Sequence, residues 1–203
     1  MKTKGITMNL YLLGDSILDN KIYTESGTST MDVIADRAPA DWSVHPLAVD
    51  GATIDSTGSQ SHPDEGVRVI SMGGNDLLPF VNDLEGSTDN PADYLASLLP
   101  ILNEFESDYR RVLGKSIGVP TLVMTIWKPH FGEPTLDAAC DMLVGCFNSV
   151  IWKLAQETGA DVYDLHGDAE PSWYANPIEP NDHGSEEIAT AVLMWADEAI
   201  ASN

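Results

Sequence analysis

The sequence predicts an α/β fold, a three-layer α/β/α sandwich built on a mostly parallel sheet of five strands. Three observations carry this expectation. Short apolar runs end abruptly in glycine turns, as the central strands of a parallel sheet do. Helical patterns alternate with these strands about every thirty to forty residues. The 203 residues suffice for a full core and show no internal repeat or linker, so one domain over 1–203 is expected.

The first strand is Leu10-Tyr11-Leu12-Leu13, closed by Gly14-Asp15-Ser16. A polar loop through Asp19, Asn20 and the stretch from Thr24 to Thr30 follows. Thr30–Arg37 reads as a short helix stopped by Pro39. Trp42–Val49 is the second strand, and Pro46 gives it an edge or irregular place. The third strand, Val67–Met72, closes in Gly73-Gly74-Asn75-Asp76, and a helix is expected from Asp76. Pro91 opens a longer helix carrying Leu95, Leu98, Leu102, Phe105, Tyr109 and Val112 at helical spacing, with Pro100 expected to kink or divide it. Gly118 and Pro120 end that helix. Thr121–Trp127 is the fourth strand, followed by an irregular loop from Lys128 to Pro134. A helix through Cys140, Leu143, Phe147 and Leu154 comes next. Asp161–Leu165 is the fifth strand, a loop through Trp173 and Pro180 follows, and Gly184–Ala201 is the last helix.

Charge is the unusual feature. Thirty-two acidic residues stand against ten basic ones, a net charge of -22. Such a chain repels nucleic acid and anionic membrane surfaces, so binding through phosphate contacts is excluded. The acids are spread along the chain and form no tail. An Asp-rich, Lys-poor composition of this kind suits a salt-rich cytoplasm, where ions screen the self-repulsion. Met1-Lys2-Thr3-Lys4 leads almost directly into the first strand, and no run of eighteen apolar residues occurs. A cytoplasmic protein without a membrane span is expected. Cys140 and Cys146 fall on different faces of one helix, so no disulfide and no metal site is expected from them.

Three glycine-bearing strand ends carry the chemistry: Gly14-Asp15-Ser16, Asp50-Gly51-Ala52-Thr53 and Gly73-Gly74-Asn75-Asp76. Ligands of open α/β sheets bind at the carboxyl ends of the strands, which is where all three lie. In this order and spacing they resemble the SGNH (GDSL-type) hydrolase family over nearly the whole chain. The resemblance implies the flavodoxin-like fold of that family and acyl-transfer chemistry without a metal or organic cofactor. Ser16 takes the place of the nucleophile, which needs a base to remove its proton. The backbone N–H groups of Ser16 and Gly51 and the side-chain amide of Asn75 take the place of the oxyanion donors. Each also has a plain structural reading: Gly51 as a turn glycine, Asn75 as a helix cap.

The resemblance breaks at the fourth motif. The family carries Asp-x-x-His shortly before the last helix, followed by Pro and Gly. Here the stretch is Asn176-Pro177-Ile178-Glu179-Pro180-Asn181-Asp182-His183-Gly184. Asn176 stands where aspartate belongs and Glu179 where histidine belongs. Three readings remain open at this point. Glu179 is itself the base, provided burial raises its pKa. His183 substitutes, reaching Ser16 from the last helix with Glu179 or Asp182 orienting it. Or the base is lost, and the pocket binds an acyl or acetylated ligand with little turnover. Without a site role, His183 is a solvent-facing residue and Glu179 a carboxylate favoured near a helix N-terminus.

The expected function is therefore a serine esterase acting on a small acyl ester or an O-acetylated carbohydrate. The competing expectation is a catalytically impaired ligand-binding relative, and a transacylase is the third. Asp15 is expected to support the turn beside the substrate. Trp127, His130 and Phe131 are expected to line the pocket as an apolar wall.

Overall fold

The structure, a computed structural model, describes residues 8–84 and 91–201. The chain start lies outside the described residues, as does the side chain of Leu95. Five parallel strands form the sheet: β1 (Met8–Gly14), β2 (Trp42–Pro46), β3 (Val67–Ser71), β4 (Thr121–Met124) and β5 (Asp161–Tyr163), in the order β2-β1-β3-β4-β5. The order reverses direction between β1 and β3, so the crevice at their carboxyl ends is the favoured ligand position of such a sheet. Ser16 and Asn75 follow those two strands.

Alternation along each strand divides the core into two layers. Tyr11 and Leu13 of β1, with Ile70 and Val123, pack under α2 (Ile54–Ser59), α3 (Gly74–Leu84), α4 (Pro91–Leu113) and α5 (Pro134–Thr158). Leu10 and Leu12, with Val69 and Leu122, pack under α1 (Thr30–Arg37), α6 (Leu165–Asp168) and α7 (Asp182–Ala201). This is the expected three-layer α/β/α sandwich.

Several elements differ from expectation, each for a local reason. The β2 ladder stops at Pro46, although Leu47 and Ala48 still donate to the Leu12 carbonyl. Its place at the sheet edge is where Pro46 costs least. α4 runs undivided through Pro100, because that residue faces solvent and the carbonyl it leaves unpaired can be hydrated. It stops at Leu113, and a 3-10 turn at Gly114–Ser116 fills the way to β4. α2 has only six residues of Ser-, Thr- and Gly-rich sequence and is not among the expected elements. A capping box between Thr53 and Ser56 nonetheless nucleates it. The stretch before α7 contains an antiparallel pair, β6 (Tyr174–Asn176) with β7 (Glu179–Pro180). Among the described residues α5 is the one helix long and apolar enough to cross a membrane, and half of that stretch is buried in the fold, as in a core helix. Cys140 and Cys146 are both free thiols.

The described cations are already engaged. Lys21, Arg37, Arg110, Arg111, Lys128 and Lys153 each pair with a carboxylate. Arg68 and Lys115 donate to backbone carbonyls. The excess acidic charge is left to counterions, whose screening lowers self-repulsion in the compact state. Melting temperature is expected to rise as KCl is added from low to molar concentration, as followed by circular dichroism; a flat or falling curve contradicts this.

Candidate active site

The site starts from a steric constraint at the end of β1. Gly14 has φ +129°, and a Cβ built there lies 1.7 Å from the Ser71 carbonyl oxygen, so only glycine fits. The chain turns sharply at that point, and Asp15 N–H donates to Ser71 O at 3.1 Å. The Gln60 side chain grips Gly14 from the other side, accepting from its N–H at 2.8 Å and donating to its carbonyl at 3.0 Å. Asp15 closes the turn. Its Oδ1 accepts from Ile17 N–H at 3.2 Å and from Ser71 Oγ at 2.8 Å. Ser16 is thereby placed at the rim of the β1/β3 crevice.

Opposite it stands Glu179. Ser16 Oγ donates to Glu179 Oε1 at 2.9 Å. Glu179 lies on β7, and the hairpin turn before it is closed by Asn176, whose Oδ1 accepts from Ile178 N–H at 3.0 Å. Asn176, at the position of the orienting aspartate in the family motif, is thus a turn residue here. The β7 strand is tied to the loop after Ser16 by the fully buried Asn20. Its Nδ2 donates to Pro180 O at 2.9 Å and to Ser185 Oγ at 2.7 Å, while its Oδ1 accepts from Thr30 N–H at 2.8 Å. Every polar atom of that amide is used. Asn20 and Gln60 escape sequence reasoning because each looks like an ordinary loop residue; only the folded contacts distinguish them.

The other expected residues divide. Asn75 Nδ2 donates to Ala52 O at 2.9 Å, which fixes the plane of its amide beside the cleft. Its neighbour Asp76 accepts from Ile54 N–H at 3.0 Å, so the third strand end braces the second. Gly51 sits in a left-handed turn at φ +77°, exposed, and does not line the cleft. Ala52 N–H bonds back to Val49 O at 3.0 Å, and this tight turn presents Ala52, in place of Gly51, to Asn75. Trp127 lines the cleft, as expected. His130 and Phe131 do not. Asp137 accepts from the Phe131 N–H at 2.7 Å and lies 3.3 Å from His130 Nδ1, drawing their loop toward the start of α5. Pro129 and Ile178 take their places in the wall.

His183 is not brought to Ser16. Glu179 belongs to a strand and His183 to the first turn of α7, so the helical spacing that was to place them side by side does not exist. The imidazole is 52% exposed, meets Trp173 edge-on, and has Nδ1 4.0 Å from Glu187. Asp182 is occupied elsewhere, accepting from Glu25 N–H at 2.9 Å and from the Ser26 hydroxyl.

Burial dominates the electrostatics. Glu179 is 5% exposed, and its Oε2 has no partner among the described residues. Desolvation therefore pushes its pKa up to about 8. The Ser16 hydrogen bond opposes this, and the nearby Asp15 and Asp50 carboxylates reinforce it. Asp15 is likewise raised to about 7 by burial, against the hydrogen bonds from Ser71 and Ile17. The cleft has a volume of about 550 Å3 counted out to solvent. Among the described residues no group of three or more His, Cys, Asp or Glu is placed to hold a metal ion.

No family model matches the sequence, and no curated protein matches it. Solved structures do. A member of the lipolytic G-D-S-L family from Veillonella parvula superposes with a TM-score of 0.66 at 14% identity, covering 92% of this chain and 97% of that one. A lipase/acylhydrolase from Enterococcus faecalis gives 0.64 at 15% identity, covering 92% and 94%. An acetylxylan esterase from Geobacillus stearothermophilus gives 0.64 at 17% identity, covering 97% and 96%, in a form described as a catalytic mutant with histidine changed to alanine. Its serine-to-alanine form is also described as a catalytic mutant. The chain has the fold of the SGNH (GDSL-type) hydrolases.

Proposed function

We propose that this protein is a serine ester hydrolase of the SGNH type, acting on a small acyl ester or O-acetylated carbohydrate, with Glu179 as the base. The observation that carries the reading is the 2.9 Å hydrogen bond from Ser16 Oγ to a buried Glu179. A carboxylate at its ordinary pKa is a weak base for a hydroxyl; one raised to about 8 is far better matched. Ser16 Oγ attacks the carbonyl carbon while its proton passes to Glu179 Oε1. The oxyanion is held by Ser16 N–H and the second N–H of Asn75, the first being spent on Ala52. Collapse breaks the ester C–O bond, and the alcohol departs with the proton from Glu179. Water then attacks the acyl-enzyme, with Glu179 accepting its proton and returning it to Ser16.

One observation favours the ligand-binding reading. With a pKa of about 8, only about one tenth of Glu179 is ionised at pH 7. The site then rests mostly as an acid, which binds but does not activate. The two readings part above pH 8.

Hydrolysis of p-nitrophenyl acetate in concentrated KCl tests this. Ser16→Ala is expected to abolish activity, and Glu179→Gln to lower kcat by about 10²–10⁴-fold, with His183→Ala close to wild type. Wild-type kcat/KM is expected to rise tenfold per pH unit and level off near pH 8. Activity equal to Ser16→Ala at every pH points to the binding protein, and collapse in His183→Ala refutes the role of Glu179.

Stability provides an independent reading of the same carboxyl. Because the folded pKa of Glu179 is raised above its ordinary 4.5, the folded state binds the proton more tightly than the unfolded one. Its contribution to stability is fully present below about pH 4.5 and is lost as pH rises through about 8. Glu179→Gln, which cannot ionise, is expected to melt above wild type at pH 9, with the gap closing toward pH 5. A gap independent of pH contradicts the buried carboxyl.

A further inference from the structure

We propose that a cavity between α3, α4 and α5 is a second ligand site, one that takes a primary ammonium group carried on a short apolar chain. The inference goes beyond the hydrolase reading and stands apart from it. Helix periodicity builds the site, because residues three and four apart share a face. α3 turns Leu77 and Val81 into the cleft, and Asp76 and Phe80, each one position earlier, toward α4. α4 answers with Ile101, Glu104, Phe105 and Asp108, spaced i, i+3, i+4 and i+7, and Phe147 of α5 completes the lining. The cavity has a volume of about 490 Å3 counted out to solvent and shares no lining residue with the cleft.

The lining sets the sign of the ligand. Asp76, Glu104 and Asp108 bring carboxyl groups to it, and no basic side chain does. Arg111 lies 3.4 Å from Asp108 Oδ1, whereas Asp76 and Glu104 pair with no cation among the described residues. Asp76 is half-buried, and its Oδ2 accepts from Ile54 N–H at 3.0 Å. Burial raises its pKa against that hydrogen bond, with the Asp108 and Asp55 carboxylates adding to the rise. A cation bound beside it offsets both the burial and the repulsion.

The aromatic rings set the kind of cation. Carboxylates alone would hold only passing counterions, and among the described residues no three His, Cys, Asp or Glu groups converge as a metal ion requires. Three phenylalanines share the lining with them. Phe105 and Phe147 are nearly fully buried and meet edge to face with ring centroids 4.9 Å apart, and Phe80 is half-buried. A hydrated inorganic ion gains little from such walls. An alkylammonium gains from both parts: its chain removes apolar surface from water, its charge is drawn to the ring faces, and its N–H groups donate to the carboxylates.

The test is titration of the intact protein with n-butylammonium, n-butanol or K+ in sodium chloride at constant ionic strength. Amide NMR shifts are followed, above all that of Ile54, which donates to Asp76. Butylammonium is expected to give saturable shifts and to bind about tenfold or more tightly than either control. Asp76→Asn, which keeps an acceptor for Ile54 N–H, is expected to weaken it about tenfold. Phe80→Leu, which leaves every charge in place, is expected to weaken it about threefold to fivefold. Asp36→Asn removes the same charge as Asp76→Asn from the exposed face of α1 and is expected to change nothing. Circular dichroism checks folding, and if Asp76→Asn does not fold, Phe80→Leu decides. Shifts that fail to saturate, that K+ reproduces, or that Phe80→Leu leaves unweakened mean diffuse attraction to an acidic surface and overturn the site. Ester turnover does not enter this test, so the ammonium site and the hydrolase stand or fall separately.

Discussion

A carboxyl group buried against a serine hydroxyl is the interaction on which the rest of this site depends. Water would hold Glu179 ionised, whereas the fold removes water and leaves the carboxyl one hydroxyl partner. That exchange costs stability at alkaline pH, because a buried carboxylate is poorly solvated. It also raises the pKa of the carboxyl to about 8. Much of the surrounding structure holds the two groups at hydrogen-bonding distance. Gly14 lets β1 turn against Ser71, Asp15 closes the turn, and Asn20 clamps the strand carrying Glu179 to the loop after Ser16.

The fold was legible because its strongest signals are local. Apolar runs ending in glycine turns mark strands, and the three turns fall at the carboxyl edge of one parallel sheet. Ser16, Asp15, Asn75, Trp127 and Glu179 were all recognisable as site candidates, and all five line the cleft. What stayed hidden depends on contacts between distant segments. Gln60 grips Gly14 across 46 residues, and Asn20 reaches Pro180 across 160. The hairpin of β6 and β7 is too short to leave a periodic pattern, yet it decides whether Glu179 or His183 faces the serine. Taken as a helical turn, that stretch brings the two side by side; as a strand followed by a helix start, it sends them apart.

Charge bears on the same site. Asp15 and Asp50 act on Glu179 directly and hold its proton more tightly. The exposed acids act at longer range and through a medium that salt can screen. Salt should therefore stabilise the molecule as a whole while changing the buried pair far less.

The most direct test of the central claim needs no knowledge of the natural substrate. The rate at which a fluorophosphonate forms a covalent adduct on Ser16, followed by mass spectrometry from pH 5 to 10, reads how far the serine is activated. The pairing with Glu179 predicts a rate that climbs with pH and levels near 8, falls to a low value in Glu179→Gln, and is unaltered in His183→Ala. Labelling that persists in Glu179→Gln but is lost in His183→Ala would contradict the account.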